Sequence, residues 1–156
     1  MSATDGLIKT LKRSSEDLVK ILGDEFVGMV LFGSWTRGEA KEDSDIDVFI
    51  VFRSLKGFDV RARLYSVIAE HVKKPLTLVD ARLSEIAGKD YELPPLMINI
   101  LYDGIIIWDR DGALKSLIEA GRRLVKEAGL VRYRTPDGKY GWRRADGKPM
   151  ATSGLC

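Results

Sequence analysis

The sequence predicts an α/β (α+β) fold in which helices cover a β-sheet. Two observations support this prediction. Segments with helical periodicity alternate along the chain with short apolar segments, and those apolar segments have the length and β-branched composition of buried strands. With 156 residues, the chain is long enough to bury one hydrophobic core without disulfides.

The N-terminal half begins with a helix and continues into two strands. A helix capped by Thr4 is expected because apolar residues recur at helical spacing: Leu7, Ile8, Leu11, Leu18, Val19 and Leu22. Residues 26–32 form the first apolar strand, which a Gly-Ser pair interrupts. Residues 35–40 are expected to form a short helical turn. Residues 46–52 form a second strand, apolar enough to be covered on both faces.

The second half predicts further strands and helices in alternation. A second helix is marked by an apolar stripe: Val60, Leu64, Val67, Ile68 and Val72. Pro75 leads into a strand over residues 76–79, and another helical stretch follows Pro94 and Pro95. Residues 105–108 predict the next strand. A last long helix is marked by a second stripe: Leu114, Leu117, Ile118, Leu124 and Val125.

The C-terminal segment changes in composition and predicts a basic β-hairpin. Residues 122–148 contain nine lysines or arginines against three acids. A Thr-Pro-Asp-Gly turn signal at 135–138 separates residues 131–134 from residues 139–144. The basic side chains could contact a nucleic acid because aromatic residues are interleaved with them: Tyr133, Tyr140 and Trp142. The alternative is a solvated hairpin whose aromatic rings pack on the domain.

Composition indicates a cytoplasmic protein without a membrane anchor. The only cysteine is Cys156, which excludes an intramolecular disulfide and a cysteine-based metal site. No apolar run approaches the roughly 18 residues of a membrane span, and the N-terminus lacks the regions of a secretion signal. Charged residues make up 31% of the chain, with no glutamine and one asparagine. This bias is typical of thermophile proteins.

Residues 33–48 contain the most informative pattern, a Gly-Ser pair after an apolar run and two alternating carboxylates ten residues further on. Backbone N–H groups at such a break can face a phosphate. Asp45 and Asp47 open the second strand. Because strand side chains alternate, both carboxylates leave on the same face, roughly 6–7 Å apart along the chain. Two hard oxygen ligands at this spacing suit Mg²⁺, so the pattern predicts a site for a metal-bound triphosphate.

This pattern resembles the signature of the minimal nucleotidyltransferases, small members of the DNA polymerase beta-like nucleotidyltransferase superfamily. Their stretch typically runs Gly-Ser-x-Ala-Arg-Gly-x-Ala and later Asp-Ser-Asp-Ile-Asp. Thr36 replaces the usual alanine, and the matching residues are Gly33, Ser34, Arg37, Gly38, Ala40, Asp43, Ser44, Asp45, Ile46 and Asp47. The resemblance covers about residues 5–120 and implies a nucleotidyltransferase fold with a mixed β-sheet.

The resemblance implies that Asp45 and Asp47 are catalytic carboxylates that hold Mg²⁺, and that a nucleoside triphosphate, ATP, is the substrate. It also implies that Gly33 and Ser34 bind the β- and γ-phosphates and that Arg37 reaches a phosphate. Local chemistry leaves two alternatives open, a helix-capping role for Ser34 and a surface ion pair for Arg37. The C-terminal hairpin is remote in sequence and is expected to contribute little to this site.

Family members that catalyse usually carry a third carboxylate on the next strand, often as Asp-Leu-Val. The corresponding stretch here is Thr-Leu-Val, in which Thr77 is neutral and cannot act as a strong base. The nearest carboxylate, Asp80, lies three residues later and on the opposite strand face. Asp80 is a candidate catalytic residue if a β-bulge rotates it inward, and otherwise it simply ends the strand.

We therefore predict a nucleotidyltransferase domain over residues 1–128, a basic hairpin extension over residues 129–150 and a tail over residues 151–156. Small family members often act as the antitoxin of a two-protein module and transfer AMP to a helical HEPN-type partner. Other family members modify aminoglycosides or RNA ends and use a large second domain to hold the acceptor. We expect no such domain here, so a protein acceptor is the favoured expectation. The alternative is a nucleotide-binding or partner-binding module that has lost catalysis, which Thr77 would explain.

Other residues near the motif have weaker signals. His71 is predicted at a helix end, where a cationic side chain meets the helix dipole favourably. Trp35 either lines the nucleotide pocket or acts as a packing anchor. An acidic rim is expected near the site from Glu39, Glu42 and Asp43, of which Asp43 also suits a turn before the strand.

Overall fold

The computed structural model describes residues 2–55, 57–86 and 95–148, apart from the side chain of Phe58. The tail predicted at residues 151–156 therefore lies outside the described residues.

The core of the fold is a four-stranded sheet. Its strands are β1 Phe26–Phe32, β2 Ile46–Phe52, β3 Leu76–Arg82 and β4 Ile105–Asp109, and they lie in the order β3-β2-β1-β4. β2 runs parallel to β3, whereas β1 is antiparallel to both β2 and β4. The predicted mixed sheet is confirmed.

Helices cover both faces of this sheet. Their bounds are α1 Ala3–Leu22, α2 Phe58–His71, α3 Leu83–Ile86, α4 Pro95–Asp103 and α5 Ala113–Glu127. α1 and α2 pack on one face, and α4 and α5 pack on the other. In the part of the chain that the structure describes, no helix is long and apolar enough to cross a membrane.

Two local predictions in the first half are wrong. Ser2, rather than Thr4, caps α1: the Ser2 hydroxyl accepts a hydrogen bond from the Asp5 N–H at 3.1 Å, and the Asp5 carboxylate accepts one from the Ser2 N–H at 3.2 Å. This reciprocal pair is a capping box, and Thr4 lies inside the first turn. Residues 34–38 form consecutive turns rather than the expected helical turn.

The central strand β2 is buried on both faces, as its sequence predicts. Val48 and Ile50 pack toward α1 and α2, whereas Phe49 and Val51 pack toward α4 and α5. Every residue of β1 is buried. These contacts hold β2 between β1 and β3. Asp47, near the start of β2, therefore lies beside Phe32 at the end of β1 and Thr77 near the start of β3.

The predicted C-terminal hairpin is confirmed and packs on the same domain. β5 (Leu130–Arg134) pairs with β6 (Tyr140–Arg144) as a separate antiparallel sheet. Trp142 of β6 is buried in a small apolar cluster with residues from α4, α5 and β5: Ile98, Val125 and Leu130. The position of Trp142 therefore matches the alternative in which aromatic rings pack on the domain.

Trp142→Ala should lower the free energy of unfolding by about 3–5 kcal/mol, because it leaves a large cavity between the hairpin and the two helices. Chemical denaturation followed by circular dichroism measures this loss. Tyr133→Ala is the matched control on the same hairpin, since Tyr133 is 43% exposed and its loss should cost less than about 1 kcal/mol. Equally small losses in the two variants would contradict integral packing of the hairpin.

Candidate active site

The end of β1 and the start of β2 lie side by side and bring two parts of the motif together. Phe32 pairs with Asp47 in the antiparallel register, so Gly33 follows directly beside the Asp47 side chain. Gly33 has a left-handed backbone conformation with φ +83°, and a Cβ at this position would overlap the Asp47 carboxylate. Glycine adopts a left-handed conformation without strain and has no Cβ to overlap the carboxylate. The close approach therefore sets the turn against the carboxylate.

Hydrogen bonds hold the backbone after Gly33 in one shape. The N–H and the hydroxyl of Thr36 both donate to the Gly33 carbonyl, at 3.0 and 2.7 Å. The N–H groups of Arg37 and Glu39 donate to the Ser34 carbonyl, at 3.2 and 3.1 Å. The N–H and the hydroxyl of Ser34 donate to no other residue among those that the structure describes. Because no helix follows, the helix-capping alternative for Ser34 is not found, and both donors are available to an anion.

The two aspartates of the motif differ in their surroundings. Asp45 is exposed immediately before β2, whereas Asp47 is half-buried within β2. Burial raises the pKa of the Asp47 carboxyl, and the charge of Asp45 raises it further. The charge of Arg37 and a hydrogen bond with Thr77 lower this pKa, but by less. An ionised Asp47 is therefore electrostatically unfavourable in the protein alone, and a cation between the two carboxylates would relieve this cost.

Thr77 occupies the place beside Asp47 where a third carboxylate is expected, because the two residues are partners in the parallel β2–β3 register. Asp80 instead pairs with Ile50, and the register contains no bulge. Asp80 forms ion pairs with Arg61 at 3.4 Å and Arg82 at 3.3 Å. The bulge that would rotate Asp80 inward is therefore not found, and strand alternation places Asp80 on the sheet face opposite to Asp47. Asp80 does not end the strand either, since β3 continues to Arg82.

Few side chains at the site can therefore act as ligands of a metal ion. Within the described ranges, no group of three or more His, Cys, Asp or Glu side chains is arranged to hold a metal ion. The motif supplies two carboxylates near the start of β2: Asp45 lies just before the strand and Asp47 lies within it, beside the end of β1. A hard divalent cation bound there would complete its coordination with other oxygen atoms, such as those of water or phosphate.

Arg37 is held by groups that the sequence did not indicate. Its Nε lies 2.8 Å from the Glu39 carboxylate, and its Nη1 lies 3.0 Å from that of Asp103 at the end of α4. Its guanidinium also stacks 4.4 Å from the centre of the Tyr140 ring. Burial lowers the pKa of Arg37, but the two carboxylates outweigh this effect and raise its pKa, so the side chain stays cationic. The alternative of an ion pair for Arg37 is therefore found, with the side chain partly buried and not on the open surface.

The hairpin reaches the Gly-Ser turn through the same contacts. The Tyr140 hydroxyl donates to the Glu39 carboxylate at 2.5 Å, and Arg132 binds the Asp103 carboxylate through two hydrogen bonds of 2.8 and 2.6 Å. The hairpin, which is remote from the motif in sequence, therefore lies beside it in space. No local pattern could have shown this, since Tyr140 lies 101 residues from Glu39 in sequence.

Trp35 and His71 line a separate cavity on the α1 and α2 side of the sheet. The cavity has a volume of about 590 Å³, and its walls include Leu7 and Val72. Trp35 is 8% exposed and packs within the core on this side, as the packing-anchor alternative describes. His71 Nε2 lies 2.6 Å from an Asp17 carboxylate oxygen. Both residues thus lie on the sheet side opposite to Asp47.

Comparison with models of known protein families identifies the family of this chain. The family model described as "Polymerase beta, Nucleotidyltransferase" matches residues 16–113. The chain belongs to this nucleotidyltransferase family. The matched range includes the Gly-Ser turn, both aspartates of the motif and the whole four-stranded sheet.

A protein that is similar in sequence supports the assignment of this chain to the nucleotidyltransferase family. Over 109 residues the chain is 30% identical to MJ1305 of Methanocaldococcus jannaschii, which is named as a proposed protein adenylyltransferase. The match spans 67% of this chain and 73% of that protein. The enzyme is therefore related in sequence, as well as in fold, to adenylyltransferases.

Two solved structures share the nucleotidyltransferase fold. A toxin-antitoxin crystal structure with AMP-PNP gives a TM-score of 0.52 and 17% identity, over 74% of this chain and 87% of that chain. Spectinomycin adenyltransferase AAD(9) from Enterococcus faecialis, with ATP and spectinomycin, gives a TM-score of 0.53 and 15% identity, over 77% of this chain and 65% of that chain. At these identities the matches establish the fold alone.

Gly33→Ala should lower the free energy of unfolding of this nucleotidyltransferase by about 2–4 kcal/mol, because it adds overlap with Asp47 to the cost of a left-handed residue. Gly38→Ala is the matched control: its φ is +72° and a Cβ there meets no atom within 4 Å. The control should lose only about 1–2 kcal/mol. Denaturant unfolding compares the two variants, and equal losses would contradict the close approach of Gly33 to Asp47.

Proposed function

We propose that the protein transfers AMP from ATP to a hydroxyl group of a protein acceptor in a magnesium-dependent reaction, in which the acceptor oxygen bonds to the α-phosphorus and pyrophosphate leaves. The observation that best supports this proposal is the packing of Gly33 against Asp47. This contact places a turn with available hydrogen-bond donors beside a pair of carboxylates. A metal-bound triphosphate needs both features, donors for its phosphate oxygens and carboxylates for its metal.

Asp45 and Asp47 are the residues that would hold Mg²⁺. Carboxylate oxygens are preferred ligands of this ion, and the raised pKa of Asp47 means that the surrounding residues do not fully compensate its charge. Neutralisation of charge on the triphosphate is the chemistry that Mg²⁺ supplies when bound there. The two carboxylates would hold the ion, and with it the triphosphate, beside the Gly-Ser turn.

The β- and γ-phosphates are assigned to the turn. Gly33 lets the backbone approach a phosphate closely, and the N–H and hydroxyl of Ser34 donate to its oxygens. Arg37 contributes a positive charge on the same side, since its charge already acts on Asp47. In this arrangement the chain binds and orients the triphosphate, and positioning supplies most of the catalysis.

Deprotonation of the acceptor is the weak step in this proposal. Thr77 lies beside Asp47 in the strand register, and a neutral hydroxyl cannot accept the proton of an attacking group at neutral pH. We therefore expect slow AMP transfer by the isolated chain. A nucleotide-binding module with little or no catalysis is the alternative function that Thr77 favours.

A protein acceptor is supported by the relatives. The Methanocaldococcus jannaschii relative is named as a proposed protein adenylyltransferase, and a toxin-antitoxin structure with AMP-PNP shares the fold. The motif also resembles that of antitoxin-type minimal nucleotidyltransferases, for which a helical HEPN-type partner is the acceptor. We propose a partner of this kind here.

A nucleic acid bound by the hairpin is less favoured as a partner than a protein. Arg132 forms an ion pair with Asp103 at 2.6 Å, and Arg144 forms one with Asp146 at 2.7 Å. These pairs reduce the basic charge that the hairpin offers to a phosphate backbone. The composition of residues 122–148 therefore overstates the basic surface.

The Asp45→Asn/Asp47→Asn double variant should bind Mg-ATP at least about tenfold more weakly than the wild type, because each carboxylate supplies oxygen to one charge-dense ion. Isothermal titration calorimetry with Mg-ATP measures the dissociation constant. Glu42→Gln is a matched control that removes one exposed carboxylate near the same loop without touching the pair. Unchanged affinity in the double variant would rule out the proposed site.

Thr77→Asp should accelerate AMP transfer to a suitable acceptor by about 10²-fold or more, if a missing general base is the main defect. Transfer of radiolabel from [α-³²P]ATP to a co-expressed helical partner measures the rate. Asp80→Asn is the contrasting variant and should leave the rate unchanged, because Asp80 lies on the other sheet face. No gain from Thr77→Asp, together with no labelled acceptor, would favour the binding module.

A further inference from the structure

The Arg37 guanidinium is contacted by three parts of the chain that are distant in sequence. Glu39 belongs to the turn, Asp103 ends α4 and Tyr140 begins β6. The two carboxylates lie 2.8 and 3.0 Å from Nε and Nη1, and the Tyr140 ring lies 4.4 Å from the guanidinium carbon. One arginine thus joins the nucleotide-binding turn to the C-terminal hairpin.

Asp103 is the centre of this arrangement. Its side chain is only 7% exposed, and its Oδ2 accepts hydrogen bonds from both Arg37 and Arg132. Two guanidinium groups thus compensate the charge of one buried carboxylate. A carboxylate at this depth would be costly without such partners.

Arg132 is itself fixed by its surroundings. Its Nη2 donates to the Asn99 side-chain oxygen at 2.8 Å, and the same oxygen accepts a hydrogen bond from Trp142 at 2.8 Å. Its guanidinium lies within 5.4 Å of the centres of three aromatic rings: Tyr102, Tyr140 and Trp142. The chain of contacts from the hairpin through Arg132 and Asp103 to Arg37 is therefore held in one geometry.

These contacts orient Arg37 and leave part of it free. Glu39 and Asp103 occupy Nε and Nη1, whereas Nη2 donates to no other residue in the described part of the chain. Buried ion pairs of this kind add little net stability, and their best-attested value is in fixing geometry. A guanidinium that is fixed in this way loses less conformational freedom when it binds a phosphate.

We propose that Asp103, Arg132 and Tyr140 are positioning residues that hold the Arg37 guanidinium toward the triphosphate at Asp45 and Asp47. This inference rests on the proposed function, since it assigns Arg37 to the nucleotide. It gives the C-terminal hairpin a role in nucleotide binding that its distance in sequence conceals. The hairpin acts through Arg37 and does not itself contact the nucleotide.

A thermodynamic cycle on the full chain tests this proposal, with Mg-ATP affinity measured by isothermal titration calorimetry. Arg37→Ala should weaken binding about tenfold, and Tyr140→Ala should weaken it about threefold to tenfold. The Arg37→Ala/Tyr140→Ala double variant should bind no more weakly than Arg37→Ala alone, because Tyr140 acts only through Arg37. Asp103→Asn should show the same non-additivity with Arg37→Ala.

Two further variants separate positioning from general damage to the fold. Tyr140→Phe keeps the ring over Arg37 and should retain most of the affinity. Tyr133→Ala removes an exposed ring from the same hairpin and should leave the affinity unchanged. Thermal unfolding confirms that each variant folds, and Tyr140→Ala decides the question if Asp103→Asn does not fold, because Tyr140 is only half-buried.

The outcomes are distinguishable from failure of the proposed function. Normal Mg-ATP binding by the wild type, with unchanged affinity in Tyr140→Ala, would overturn this inference alone. Fully additive losses in the double variant would also overturn it, since they would mean that Tyr140 acts independently of Arg37. Absence of Mg-ATP binding by the wild type would overturn the proposed function and this inference with it.

Discussion

The antiparallel pairing of β1 and β2 is the constraint on which the rest of the site depends. It sets Phe32 opposite Asp47, so the chain can leave β1 only through a residue without a side chain, in a left-handed conformation. Gly33 meets this requirement. The turn that follows then places the Ser34 donors and the Arg37 cation beside the carboxylates. The apolar packing of β1 and β2 against both helix layers keeps this pairing in register.

A second constraint acts from the other end of the chain. Asp103 lies between Arg37 and Arg132, so the end of α4 and the hairpin share one buried charge with the turn. Burial of Trp142 holds the hairpin on α4 and α5. The nucleotidyltransferase fold is thus tied to its C-terminal hairpin by both apolar and ionic contacts. The hairpin is part of the structure around the site.

The sequence predicted the features that depend on local pattern. The apolar strands, the amphipathic helices and the hairpin followed from periodicity and turn chemistry. The family resemblance placed Thr77 at the position of the usual third carboxylate, and the strand register then showed that this position lies beside Asp47. The contacts of Arg37 with Asp103 and of Glu39 with Tyr140 span 66 and 101 residues. Such contacts arise from the packing of whole elements, which no short sequence window encodes. The same limit applies to the ion pair between Asp80 of β3 and Arg61 of α2, which only the structure shows.

A crystal structure of the full chain with Mg²⁺ and a non-hydrolysable ATP analogue would show directly where the nucleotide binds. We expect phosphate oxygens on the Ser34 N–H and hydroxyl, and Mg²⁺ held by the carboxylates of Asp45 and Asp47. We also expect contact between Arg37 and the triphosphate. Nucleotide bound instead in the cavity lined by Trp35 and His71, with no metal at the two aspartates, would show that the Gly-Ser turn and the aspartates are not the nucleotide site.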